Sequence, residues 1–126
     1  MKNLYSANVD QSSVDNLISG TLVPCKVIPV TLAQGTDIVP RGTLLASDDG
    51  TTYSKHTAGS KVAAVLMLDV DTSDPDELAA PAAFSGEFNQ KKIEKVMGAD
   101  LSPGDIAEAR ARQIYIAPMD PAPGVF

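Results

Sequence analysis

The most apolar window of the chain is Lys61 to Val70, KVAAVLMLDV, and any core must form around it. Periodicity alone does not separate a buried strand from a helix over such a run, but its length and β-branched residues favour a strand at the centre of the core. The flanking sequence is cut into short pieces. From Leu22 to Leu32, LVPCKVIPVTL is apolar but carries Pro24 and Pro29. Each removes a ladder donor, so the segment reads as an edge strand or extended coil. A loop around Gly35 and a turn at Pro40-Arg41-Gly42 lead to a strand from Thr43 to Ser47. Asp49-Gly50 tolerates positive φ and predicts a hairpin, with Thr51 to His56 as the return strand. After the acidic stretch DTSDPDEL, the segment PAAFSGEF places Ala82, Phe84, Gly86 and Phe88 in strict alternation. That predicts one strand with both phenylalanines inward.

Two short helices are expected next. Ile93, Val96 and Met97 have the i, i+3, i+4 spacing of an amphipathic turn that stops at Gly98. Ser102 is a good N-cap, Pro103 suits the first helical position, and Asp105 complements the dipole. Ile106, Ala109 and, at the margin, Ala107 would face the core, with Arg110 and Arg112 near the helix end. QIYIAPM then reads as a closing strand and DPAPGVF as a proline-rich tail.

These pieces define an α+β, mostly β fold class: a compact β-rich single domain with one or two short helices and a flexible N-terminal arm. A length of 126 residues with 44% hydrophobic content suits one modest core, and 5% aromatic content without tryptophan suits short strands and turns. Residues 1–22 form the expected arm, 23–119 the folded body and 120–126 a tail. Within the arm the apolar residues Leu4, Tyr5, Val9, Val14, Leu17 and Ile18 are spaced too widely to pack a face alone. They cannot offset an ordering entropy of ~1 to 2 kcal/mol per residue unless a partner helps.

A formal net charge of -6 repels phosphate backbones and anionic lipid, so neither nucleic acid nor membrane is an expected partner. The opening MKNLYSANVDQSS carries no apolar run of the kind a secretion signal needs, and no stretch reaches the ~20 apolar residues of a membrane helix. One cysteine, Cys25, leaves no internal disulfide to form, and the chain is expected in a cytoplasm when made.

Signals for chemistry are weak. Asp69, Asp71, Ser73, Asp74, Asp76 and Glu77 start like a calcium loop, but Asp74 stands where glycine is needed and Ala80 where a bidentate glutamate belongs. A solvated acidic loop is expected, with no metal. His56 is the only histidine, excluding a histidine pair, and is expected to be exposed and structural. Cys25 beside Lys26 reads as a small buried filler rather than a nucleophile. The scattered glycines make no phosphate loop. Glu87, in Gly-Glu-Phe-Asn, has the chemistry of an acid catalyst or an intersubunit contact, but no second group of opposed pKa is evident, so structural use is favoured. Asn89 is a candidate cap for the following helix. No enzyme and no cofactor are expected.

Four segments carry a resemblance, in order along the chain. They are Ile28-Pro29-Val30-Thr31-Leu32 leading to Arg41-Gly42-Thr43-Leu44 and a hairpin; Leu66-Met67-Leu68-Asp69-Val70-Asp71, a strand running into an acidic loop; Gly86-Glu87-Phe88-Asn89; and Arg112-Gln113-Ile114-Tyr115-Ile116. From about Val23 to Met119 the chain resembles the head decoration (capsid-stabilising) proteins of lambda-like bacteriophages. It departs from them in the run QKKIEKVM and in a longer tail. The resemblance implies a homotrimer on the outer capsid surface at local three-fold sites, with host cytoplasm as the place of assembly. It also implies an N-terminal arm that adds a strand to the major capsid protein, here carrying Leu4, Tyr5, Val9, Val14, Leu17 and Ile18. Arg41, Gly42, Gly86, Glu87, Phe88, Asn89, Ile114 and Tyr115 would be structural. The alternative is a small β-rich virion surface module, adhesin-like, recognising carbohydrate or protein; a third reading is a divalent-metal enzyme using the acidic loop.

Overall fold

The computed structural model describes residues 16–57 and 60–118. Along the chain run β1 (Ile18–Gly20), β2 (Val27–Leu32), β3 (Ile38–Val39), β4 (Leu44–Ala46), β5 (Thr52–Lys55), β6 (Ala64–Leu66), β7 (Val70–Asp71), β8 (Ala79–Ala83), β9 (Gly86–Asn89), α1 (Gln90–Met97), α2 (Pro103–Arg110) and β10 (Ile114–Ala117). A short 3₁₀ turn at Pro75–Glu77 precedes β8. The domain is mostly β with two short helices among the described residues, as the residue patterns predict.

Five strands close into a small barrel in the order β2-β5-β4-β6-β8. β2 and β5 are parallel and the other neighbours antiparallel. A second sheet, β1-β9-β10, has β9 at its centre, antiparallel to β1 and parallel to β10. β3 and β7 form a separate two-stranded ladder.

The apolar window owes its composition to two cores that share the barrel wall. Leu32, Leu45, Tyr53, Ala64, Leu66, Val70, Ala80 and Ala82 pack in one cluster. Leu17, Leu44, Val62, Val65, Ala83, Phe88, Ile93, Ala109, Ile114 and Ile116 pack in the other. Adjacent residues of β4, β6 and β8 thus point into different clusters: Leu44 and Leu45, Val65 and its neighbours, Ala83 and Ala82. A strand buried on both faces has no polar alternation to display, so it reads as a continuous apolar run. Alanines at 64, 80 and 82 suit the narrow inside of a five-stranded closure.

The helices follow their local signals. The Asn89 side chain accepts the Lys91 N–H at 3.1 Å, and Gly98, at φ 76°, donates its N–H to the Glu94 carbonyl at 2.8 Å. The Ser102 hydroxyl accepts the Asp105 N–H at 3.0 Å. The predicted hairpin is β4–β5, with Leu45 opposite Lys55 and Ala46 opposite Ser54.

Five expectations require correction. β2 is not an edge strand or coil, because β8 and β5 both flank it. Pro29 is tolerated because it faces Pro81 across a pair whose backbone polar groups point away from each other: the Pro81 carbonyl accepts from Met67 N–H at 3.0 Å, on the opposite side. PAAFSGEF is two strands, not one. The chain bends at Phe84–Ser85, so Phe84 stays with Tyr53 in the barrel cluster while Phe88 enters the other. The window 61–70 breaks after Leu66, leaving Leu68 exposed before β7. On α2 only Ala109 is fully buried; Ile106 is half-buried and Ala107 exposed. His56, expected exposed, is buried, because the alternation of β5 breaks at Lys55 and turns the imidazole inward.

Candidate functional site

Leu17 and Ile18, assigned to a flexible arm over residues 1–22, belong to the folded body, which is a further correction. Leu17 is fully buried in the helix-side cluster, and its carbonyl accepts the Asn89 N–H at 2.8 Å. Ile18 and Gly20 pair with Phe88 and Glu87 of β9, with a shift of register between them. Widely spaced apolar residues cannot pack one another, but a single leucine can plug a pocket that other elements prepare. Leu4, Tyr5, Val9 and Val14 lie outside the described residues, as does the tail 120–126.

The motif residues converge on this anchor. Gly86, Glu87, Phe88 and Asn89 constitute β9, and the parallel ladder sets Ile114 against Gly86 and Tyr115 against Glu87. Gly42 adopts φ 99°, and a Cβ there would stand 3.4 Å from Leu17 Cδ1 and 3.5 Å from Val96. Arg41 ties the approach to β4 onto the loop after β6: its N–H donates to Asp69 Oδ1 at 2.7 Å and its Nη1 to the Met67 carbonyl at 2.9 Å. Of these residues, Gly42 and the Asn89 N–H border Leu17 directly, and Phe88 and Ile114 share its cluster.

Glu87 is neither beside a second catalytic group nor idle. Its Oε2 accepts the Val23 N–H at 2.6 Å, and a Cβ on Gly20 would sit 2.5 Å from its Oε1. Next to it, the Ser85 hydroxyl donates to the Pro24 carbonyl at 2.8 Å and accepts the Lys26 N–H at 3.1 Å. Together these side chains strap residues 20–26 to the bend between β8 and β9. Cys25, within that segment, is half-buried against the helix-side cluster. Burial pushes its thiol pKa up; nearby Arg41 acts in the opposite sense and Glu87 in the same sense. A raised thiol pKa disfavours the thiolate, so Cys25 lacks an activated nucleophile's environment, and Arg41 rather than Lys26 is the cation that bears on it.

Two carboxylates of the acidic loop, Asp71 and Asp74, bond within the loop itself. Asp71 Oδ1 accepts the Ser73 hydroxyl at 2.6 Å and N–H at 3.0 Å, which lowers its pKa, and Asp74 caps the 3₁₀ turn through the Asp76 N–H at 2.9 Å. No group of three or more His, Cys, Asp or Glu with the spacing of a metal site occurs among the described residues. His56 Nε2 lies 2.8 Å from the Ser60 carbonyl and 3.7 Å from Asp105 Oδ1. Because a carbonyl only accepts, Nε2 carries the hydrogen. The imidazole borders a cavity of about 210 Å³ that Lys55, Met97, Leu101 and Asp105 also line.

Exposed large apolar side chains occur at several places, including Ile38 and Leu68 in the β3 and β7 region. Leu22 is 93% exposed, Val27 and Ile28 at the start of β2 stand partly in solvent, and Tyr115 of β10 is 37% exposed. In the sequence Leu22 reads only as the start of the apolar run to Leu32, since one leucine carries no periodic signal. A scan of protein-family models finds no match to this chain, and a search of curated proteins finds none either.

Proposed function

We propose that this chain is a structural virion subunit that decorates the outer surface of an expanded phage capsid as a homotrimer at local three-fold sites, stabilising it against packaged-DNA pressure. Its partner on that reading is the major capsid protein, reached by the residues that precede Leu17. The observation that most supports it is the convergence of Arg41-Gly42, Gly86 to Asn89 and Ile114-Tyr115 around the point where the N-terminal segment joins the body. A residue set devoted to anchoring a terminal segment is what an arm that bears load requires. The polar side chains of this region bond to the protein's own backbone and leave no paired acid and base facing a substrate.

The energetics suit a multivalent partner. Main-chain hydrogen bonds gained by adding a strand to a sheet edge contribute on the order of 1 kcal/mol net each, against an ordering cost of similar size per residue. One arm therefore binds weakly. Three arms on one symmetric site raise avidity by roughly 100-fold or more, but only where the lattice presents all three partners at once.

The test is light scattering of the purified protein followed by co-sedimentation with expanded, undecorated heads. Retention of a trimer near three copies per three-fold site supports the reading. A monomer that stays in the supernatant overturns it, and a glycan array then examines the adhesin alternative.

A further inference from the structure

We infer that Glu87 is a positioning residue, a clasp that pins the C-terminal end of β1 and so sets the direction in which the preceding chain leaves the body. This inference rests on the capsid-binding reading and assigns to that site a residue which controls it.

β1 is three residues long, pairs only with β9 and changes register midway, so its ladder alone defines its direction poorly. Two pins compensate. At one end Leu17 is buried and its carbonyl is bonded to Asn89. At the other, the Glu87 carboxylate takes the Val23 N–H at 2.6 Å. Between β1 and the Lys26 carbonyl, which accepts the Phe84 N–H at 2.8 Å, the chain from Thr21 to Cys25 belongs to no strand, and Leu22 stands 93% exposed, so side chains of the β8–β9 bend hold it. The Ser85 hydroxyl holds Pro24 and Lys26 further along, which leaves Glu87 as the side chain that holds the part next to β1, and a bond to a carboxylate is stronger than one to a neutral acceptor. Gly20 leaves room for the clasp: a Cβ there would stand 2.5 Å from Oε1, so the carboxylate would have to shift to admit one. A fixed β1 starts the preceding residues from a defined point and direction. Part of the ordering cost of binding is then met before the partner arrives, and affinity rises accordingly.

The experiment uses the full chain with Glu87→Ala, Glu87→Gln, Gly20→Ala and the double variant G20A/E87A, in two measurements. Amide hydrogen exchange, without heads, should show Val23 and β1 exchanging about tenfold faster in E87A and G20A than in the wild type, with α1 and the barrel strands unchanged. E87Q, which keeps an acceptor oxygen, should recover much of the protection. The double variant should be no worse than E87A alone, because the carboxylate that obstructs an alanine at position 20 is gone. Co-sedimentation should then show about tenfold weaker head binding for E87A despite its intact body. Unchanged exchange at Val23 in E87A, additive losses in the double variant, or full head affinity in a variant with a loosened β1 each overturn the clasp. Wild-type protein that ignores heads overturns the capsid reading instead, while the exchange data judge the clasp separately.

Discussion

Gly86 carries two constraints at once. Its φ of 144° is open to glycine and strained for other residues, and a Cβ would stand 2.7 Å from Cys25 Sγ and 3.0 Å from the Phe88 ring. Gly86→Ala is expected to cost about 2 to 3 kcal/mol, read as a lower denaturation midpoint at unchanged slope. Leu17→Ala should cost about 2 to 5 kcal/mol, since it opens a void among residues that cannot close it; a loss under half a kcal/mol would return Leu17 to the arm. Asp49 is one contributor to acid sensitivity. It accepts the Thr52 and Thr51 N–H groups first and the Thr51 and Ser47 hydroxyls after them, and these bonds lower its pKa from 3.8 to about 2. A folded-state value below the unfolded one gives stabilisation that is complete above the unfolded pKa and lost as pH falls through the folded one. The loss therefore falls between pH 3.8 and about 2, and Asp71 and Glu94, also lowered, act in the same sense. Asp49→Asn should flatten that limb of a stability–pH curve, and an unaltered limb would contradict the assignment.

At the scale of elements, the helices were legible because their signals are local. Asn89, Gly98 and Ser102 act within a few residues of the backbone groups they satisfy, and the structure places each at its cap. Asn89→Ala and Ser102→Ala should each cost about 1 kcal/mol, measured by thermal denaturation, and Asn89→Ala keeps the backbone N–H that bonds the Leu17 carbonyl. The strands were less legible. Their side-chain alternation holds only while a strand faces one core, and Phe84 and Phe88 serve two. Pro29 was read as an edge marker on local grounds, yet a strand with a neighbour on each side accommodates it where the ladder needs no N–H.

For the whole molecule, the boundary of the arm matters most. Deleting residues 1–15 keeps Leu17 and β1, so the body should fold with little change in melting temperature while head binding is abolished. Deleting residues 1–22 removes the plug as well and should destabilise the body strongly. Circular dichroism and co-sedimentation separate these outcomes; a 1–15 deletion that still decorates heads would sink the arm mechanism. The sequence by itself determined the class of fold, the hairpin and both helices, because propensity, turn chemistry and capping act over a few residues. Tertiary structure alone decided that Leu17 is a plug, that His56 is buried, and that Glu87 reaches back to Val23 across 64 positions. Those outcomes depend on pockets assembled from distant segments, and no local pattern encodes a pocket that exists only after the chain has closed around it.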